Sequence, residues 1–429
     1  MKLLKIRPSK ISGEVIAPPS KSYTHRAFMI ALLAKGESRI KSPLIGYDTL
    51  ATIDGIKALG AEFVHSEDVW IVRGTGGRIK PNTDVIDTRN SGTTMRLLSA
   101  IASLSPKAIR LAGDESTMKR PMGPLVEALQ GLGAKTRCEG VEGRPPVVVG
   151  GGLVGGDVEI TGGVSSQFIS ALLLATPYAK DDVKLTVTEE PRSKPYVAIT
   201  LELLELAGAK ISRNRKLTEF DIKGGQTLCP IDMTVPGDFS SAAFLLVGAA
   251  LTASTVRVKN LDVRGVQGDR RIIELLKEFG ADVKISGTTV EVFGEGDLSG
   301  IEADCADNPD LVPILAVLGS VSDGRTRLLN IPHLRLKETD RLRALSWGLQ
   351  RLGAEVEELP DELKINGVKI IKGARLTSYG DHRMAMAFAV AGLIARGETT
   401  VDGAESIPVS YPSFVEDMQK LGAKIELVE

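Results

Sequence analysis

The stretch Arg271-Ile272-Ile273-Glu274-Leu275-Leu276-Lys277-Glu278-Phe279-Gly280-Ala281-Asp282 decides the architecture. Ile272, Leu275, Leu276 and Phe279 recur at i, i+3, i+4 and i+7, so a helix over Arg271–Phe279 carries one apolar stripe. Gly280 can take the left-handed conformation that ends a helix, and a strand follows it. The same succession occurs at Leu59-Gly60-Ala61-Glu62, Leu132-Gly133-Ala134-Lys135, Ala207-Gly208-Ala209-Lys210, Leu352-Gly353-Ala354-Glu355 and Leu421-Gly422-Ala423-Lys424. Successive glycines are 73, 75, 72, 73 and 69 residues apart, a spacing that marks a six-fold internal repeat.

Upstream in each copy lies a second helix, apolar on almost every face and therefore predicted to be buried: Ser22–Ala34, Thr93–Leu104, Gln167–Ala179, Ser240–Leu251, Leu311–Val321 and His382–Arg396. Val- and Ile-rich runs such as Asp182–Thr188 and Thr255–Lys259 read as strands. Units of this size exceed the repeats of a solenoid, and two domains of three units fit them better. The boundary is expected near Pro230–Pro236, which is bracketed by prolines. The sixth copy stops at Glu429, whereas the others run on through a strand pair, as in Glu362–Gly380. Lys2–Ser20 resembles that missing continuation, so the expected domains are 20–235 and 1–19 plus 236–429, with the chain crossing twice between them.

Composition narrows the function. Fifty-three Lys and Arg against 54 Asp and Glu leave a net charge of −1, which gives no overall field for nucleic acid or an anionic membrane. Ten Phe, two Trp and six Tyr are few for base-stacking platforms. Cys138, Cys229 and Cys305 are far apart, and with His25, His65, His333 and His382 they form neither a zinc spacing nor a disulfide framework. Met1–Lys10 lacks the apolar core of a signal peptide, and no run of apolar residues is long enough for a membrane span, so a cytoplasmic protein is expected.

A polar motif precedes each apolar helix: Ser20-Lys21-Ser22, Asn90-Ser91-Gly92-Thr93, Ser165-Ser166-Gln167, Gly237-Asp238-Phe239-Ser240, Asp307-Asn308-Pro309-Asp310 and Gly380-Asp381-His382-Arg383. Taken singly these are ordinary helix caps, each contributing about 1 kcal/mol. Repetition beside Lys21, Arg26, Arg96, Lys119, Arg120, Arg341 and Arg383 favours another reading. Helix starts offer unpaired N–H donors, and arginine forks match carboxylate and phosphate oxygens, so a small phosphorylated substrate in a cleft between the domains is expected. Leu336-Lys337-Glu338-Thr339-Asp340-Arg341 mixes acids and bases within one turn and reads either as an exposed helix start with internal pairs or as a site where Glu338 carries protons; Asp310 is a second such carboxyl. Gly150–Gly156 reads as a turn. The chain has no nucleotide-cradling GxxxxGK[ST] or GxGxxG and no GxSxG elbow, so Asp381-His382-Arg383 is not a hydrolase triad.

Read in order along the chain, these motifs, with Lys119-Arg120-Pro121-Met122-Gly123, Ser193-Lys194-Pro195-Tyr196 and Asp381-His382-Arg383-Met384-Ala385-Met386, make it resemble the 5-enolpyruvylshikimate-3-phosphate synthases. The resemblance implies an α/β fold of two inside-out, barrel-like domains, each of three βαβαββ repeats around buried parallel helices. It implies transfer of the enolpyruvyl group of phosphoenolpyruvate to shikimate 3-phosphate through a tetrahedral ketal, by a monomer that uses no metal or organic cofactor. Carried over by position, Ser22, Arg26, Ser165, Ser166, Gln167, Ser193 and Lys337 are the expected shikimate 3-phosphate contacts, with Thr93 and His333 also in the binding set. Lys21, Gly92, Arg120, Arg341 and Arg383 are the expected phosphoenolpyruvate contacts. Asp310 is similar to the residue that takes the proton of the attacking 5-hydroxyl, and Lys21 and Glu338 are the candidates for protonating the methylene carbon.

The chain departs from the family pattern where Val409 replaces a usual lysine before Ser410-Tyr411-Pro412, where His333 replaces a common asparagine and where Leu97 replaces a proline. The nearest rival by resemblance, a UDP-N-acetylglucosamine enolpyruvyl transferase, is disfavoured because Gly113–Lys119 contains no cysteine. A non-catalytic phosphometabolite-binding protein of the same architecture is the alternative from a different class.

Overall fold

The structure, a computed structural model, describes residues 2–294 and 297–429. Its strands form six four-stranded sheets of one plan, a parallel pair followed by an antiparallel hairpin. In one of them Glu302–Asp304 runs parallel to Arg325–Leu329, which pairs antiparallel with Leu363–Asn366, itself antiparallel to Glu355–Glu358. An apolar helix joins the two parallel strands, and a helix with an apolar stripe precedes the hairpin.

The repeated Gly-Ala element closes every striped helix in the same way. Gly60, Gly133, Gly208, Gly280, Gly353 and Gly422 all have φ between 80° and 107°. The following alanine donates its N–H to the carbonyl five residues back, as in Ala281 to Leu276 and Ala354 to Leu349. That is the Schellman arrangement, and it explains why Gly stands at the end of the striped helix at each recurrence.

The chain divides into two units, Pro19–Val235 and the residues up to Pro18 together with Pro236–Glu429. In the first, the helices Lys21–Leu33, Gly92–Ala102 and Ser166–Ala175 form the centre of the core. In the second, Phe239–Leu251, Val312–Gly319 and His382–Gly392 do so, and every residue of the last two is buried. Beyond their polar first turns these helices are apolar on almost every face and have no side to offer water, so the sheets and striped helices enclose them.

At each boundary a strand stays behind. Gly13–Ile16, just before the Lys21 helix, pairs parallel with Thr255–Lys259 in the second unit. Asp232–Thr234, just before the Phe239 helix, pairs parallel with Glu37–Lys41 in the first. Leu3–Arg7 lies between Thr399–Asp402 and Lys424–Val428 and fills the third place of the last sheet.

Some helix ends differ from the sequence expectation. The helix expected over Gln167–Ala179 stops at Ala175 and tightens into the 3-10 turn Thr176–Tyr178, because Pro177 has no N–H to continue the ladder. Instead of Leu311–Val321, the helix runs over Val312–Gly319, and Gly268–Arg271 is a 3-10 turn preceding an α-helix over Ile272–Glu278. Among the described residues no helix is long and apolar enough to cross a membrane.

Candidate active site

In the first unit, the start of the Gly92 helix meets the start of the Ser166 helix. Arg96 Nη1 donates to Gln167 Oε1 at 2.8 Å and to Ser165 Oγ at 3.3 Å, while Gln167 Nε2 donates to Thr93 Oγ1 at 2.8 Å. The Arg96 guanidinium also lies 5.2 Å from the Phe168 ring centroid. Ser91 and Ser165 accept from Thr94 N and Gln167 N, so these serines do cap their helices. A Cβ on Gly92 would collide with Arg120 Nη1, which places that guanidinium directly over the first residue of the helix.

Lys21 opens its helix and pairs with Asp48 at 3.0 Å, both side chains being largely enclosed. Arg26, one turn on, is buried: Nε donates to Thr200 Oγ1 at 2.7 Å, Nη1 to the Ser22 carbonyl at 3.1 Å and Nη2 to Ser170 Oγ at 3.3 Å. Burial lowers its guanidinium to about 10, against the opposing influence of Tyr196 and Tyr23. These bonds tie the Lys21, Ser166 and Lys194 helices together. Ser193 sits in the left-handed region at φ 57° before the Lys194 helix, and Ser166 is buried.

The second unit centres on Arg341, which is 1% exposed. Its Nε donates to Asp381 Oδ2 at 2.7 Å, Nη1 to Asp310 Oδ1 at 2.8 Å, and Nη2 to Glu338 Oε2 at 2.9 Å. Arg383 Nη2 reaches the other oxygen of Asp310 at 3.1 Å. Asp381 is itself the cap of the His382 helix, accepting from Arg383 N at 2.8 Å. Burial favours a protonated Asp310, but Arg383, Lys337 and Arg341 outweigh it and hold the carboxyl well below its usual range. Burial opposes the charge on Arg341, and Asp381, Glu338 and Asp310 more than restore it.

The Leu336–Arg341 block is not one helical turn. Pro332–Leu336 is a 3-10 turn that carries the buried His333, Lys337–Asp340 is a connection, and the helix begins at Arg341 with Asp340 capping Arg343 N. Within the block, Glu338 pairs with Arg341 at 2.9 Å. Asp307–Asp310 likewise stops short of its helix, whose first residue is Val312 and whose cap position is Leu311, and Asp310 faces Arg341 and Arg383. Val409 is buried at the end of the 3-10 turn Ala404–Val409.

The structure therefore joins Ser165 and Gln167 through Arg96 and Thr93 through Gln167, sets Gly92 against Arg120, and gathers Asp310, Glu338, Arg341 and Arg383 into one cluster. Sequence reading passed over Asp48, Asp269 and the depth of Asp381. The first two carry no local mark, and Asp381 looked like an ordinary cap. Cations beside helix starts can bind anions, and carboxyls held by those cations can accept and return protons.

A family model described as EPSP synthase (3-phosphoshikimate 1-carboxyvinyltransferase) matches residues 6–418. A 3-phosphoshikimate 1-carboxyvinyltransferase of Methanocaldococcus jannaschii is 45% identical over 99% of each chain. One from Methanosarcina mazei is 46% identical over 98% of each. The solved structure of an EPSP synthase from Acinetobacter baumannii superposes with a TM-score of 0.84 at 29% identity, covering 100% of both chains.

Proposed function

This chain belongs to the EPSP synthase family, and we propose that the enolpyruvyl transfer of that family is carried by the two clusters described above. The enzyme is a transferase of the shikimate pathway: it moves the enolpyruvyl group of phosphoenolpyruvate to the 5-hydroxyl of shikimate 3-phosphate and releases phosphate. The observation that carries the assignment of roles is the Asp310 carboxyl held between Arg341 and Arg383.

Asp310 takes the proton of the 5-hydroxyl as its oxygen attacks C2 of phosphoenolpyruvate, and C3 gains a proton from Lys21 or Glu338. The resulting ketal then loses phosphate and a methyl proton to form the enol ether. Unliganded, Asp310 is a weak base because Arg383, Lys337 and Arg341 stabilise its charge. The carboxylate and phosphate of phosphoenolpyruvate, bound by Arg120, Arg341 and Arg383, would divert part of that positive field and raise the basicity of Asp310. Ser22, Ser165, Ser166, Gln167, Ser193, Thr93, His333 and Lys337 are assigned to shikimate 3-phosphate. Arg26, whose hydrogen bonds run to Thr200, Ser22 and Ser170, serves that set by holding Ser22 in place.

Arg120→Ala is expected to raise the KM for phosphoenolpyruvate by about one to two orders of magnitude while that for shikimate 3-phosphate changes little. Gly92→Ala, which pushes the same guanidinium aside, is expected to act in the same direction. Equal changes in both KM values on steady-state phosphate release would reject this division. Supplying shikimate 3-phosphate or UDP-N-acetylglucosamine as acceptor tests the substrate directly, with phosphate release expected only from the first. We further propose that the enzyme acts as a monomer in the cytoplasm; light scattering on the purified chain tests the oligomeric state.

A further inference from the structure

Asp269 lies in the 3-10 turn Gly268–Arg271 and is 4% exposed. Ser240 Oγ donates to its Oδ2 at 2.5 Å, and Asn308 Nδ2 donates to its Oδ1 at 3.4 Å. Two residues earlier, Gln267 accepts from Phe239 N at 3.2 Å and donates to the Gly237 carbonyl at 2.8 Å. Gln267 and Asp269 thus grip the start of the Phe239 helix, and Asp269 links it to the loop that ends in Asp310. We propose that Asp269 is a positioning residue for the transfer reaction: its buried carboxyl fastens the Asn308–Asp310 loop, and its charge sets how readily Asp310 accepts the substrate proton. This inference rests on Asp310 being the base.

The groups facing Asp269 come from several elements: Asp238 and Ser240 from the Phe239 helix start, Asn308 and Asp310 from the loop, Arg383 from the His382 helix and the Cys305 thiol. On its own turn, Arg271 donates to the Asp304 carbonyl at 2.8 Å. Asp310 has Arg341 and Lys337 as well as Arg383, so negative charge settles there first. Burial, then the charge of Asp310, push Asp269 up to about 7, against the Ser240 hydrogen bond and Arg383. Once Asp310 has taken the hydroxyl proton, its charge no longer opposes ionisation of Asp269, and the two carboxyls titrate as a pair. Ionised Asp269 in turn makes Asp310 the stronger base, so turnover should rise with pH through the neutral range.

The test is the pH profile of kcat for the full-length enzyme with both substrates, from about pH 5.5 to about pH 8.5, for wild type, Asp269→Asn, Ser240→Ala and Asp310→Asn. Asp269→Asn is expected to lose the neutral inflection, falling about tenfold below wild type at the alkaline end and staying within about threefold at the acid end. Ser240→Ala, which keeps the carboxyl but removes its donor, is expected to move the inflection to higher pH; should Asp269→Asn fail to fold, this variant decides. An unchanged profile in a folded Asp269→Asn, or an unshifted inflection in Ser240→Ala, overturns the inference. Near-normal turnover of Asp310→Asn instead overturns the assignment of the base, and the two failures are told apart in one experiment.

Discussion

Arg341→Met is expected to lose about 3–5 kcal/mol of folding stability near neutral pH, because it strands buried carboxylates that share one guanidinium. Asp381 is fully enclosed, and Asp310 and Glu338 are 16% and 15% exposed. The sign of the pH effect follows from which groups lose their partner. In the wild type the depressed Asp310 contributes stability above its ordinary range, and this is lost as pH falls through its lowered value. In the variant, carboxyls left without their counter-ion rise, so protonating them relieves the defect. The gap between wild type and variant should therefore narrow from about pH 7 to about pH 5 in urea unfolding. A gap of the same size at both pH values would mean that the hub does not hold the unit together. Arg341→Lys is expected to recover little, since a point charge cannot serve three acceptors set around a planar fork.

Asp310→Asn is expected to lower kcat by about two to four orders of magnitude, the range of general acid–base catalysis. The amide keeps the shape but offers one acceptor where two arginines each held an oxygen, so some stability is lost with the charge and kcat is compared on the folded protein. Removing a negative charge from beside those arginines should also tighten phosphoenolpyruvate binding, giving a lower KM with the lower kcat. Turnover within about tenfold of wild type would remove Asp310 from the chemistry.

The repeat was legible because it is built from local physics. A Gly with positive φ and a striped helix are written within a dozen residues, and both recur in register. Burial of the second helix of each copy was legible for the same reason, since a helix without a polar face has only one place to go. Helix ends were less so where a proline sits inside an apolar run, as at Pro177. The arginine hub was half legible: Arg341, Arg383, Asp310 and Glu338 stand in recognisable motifs, but nothing local says that a side chain forty residues on, Asp381, closes the ring. Asp48 and Asp269 were hidden for the same cause. Their partners Lys21 and Asn308 lie 27 and 39 residues away, a proximity that only tertiary structure creates.

The strands left behind at the two boundaries also dictate an order of assembly. Everything from Pro19 to Val235 leaves the ribosome in one run, including Asp232–Thr234, so that half can close while the remainder is still being translated. Leu3–Arg7 is made before that half and must wait for Thr399–Asp402 and Lys424–Val428, which follow it. A nascent chain therefore carries this β-segment unmatched until both partners have emerged, and a chain truncated before Lys424 would leave one of its flanks uncovered.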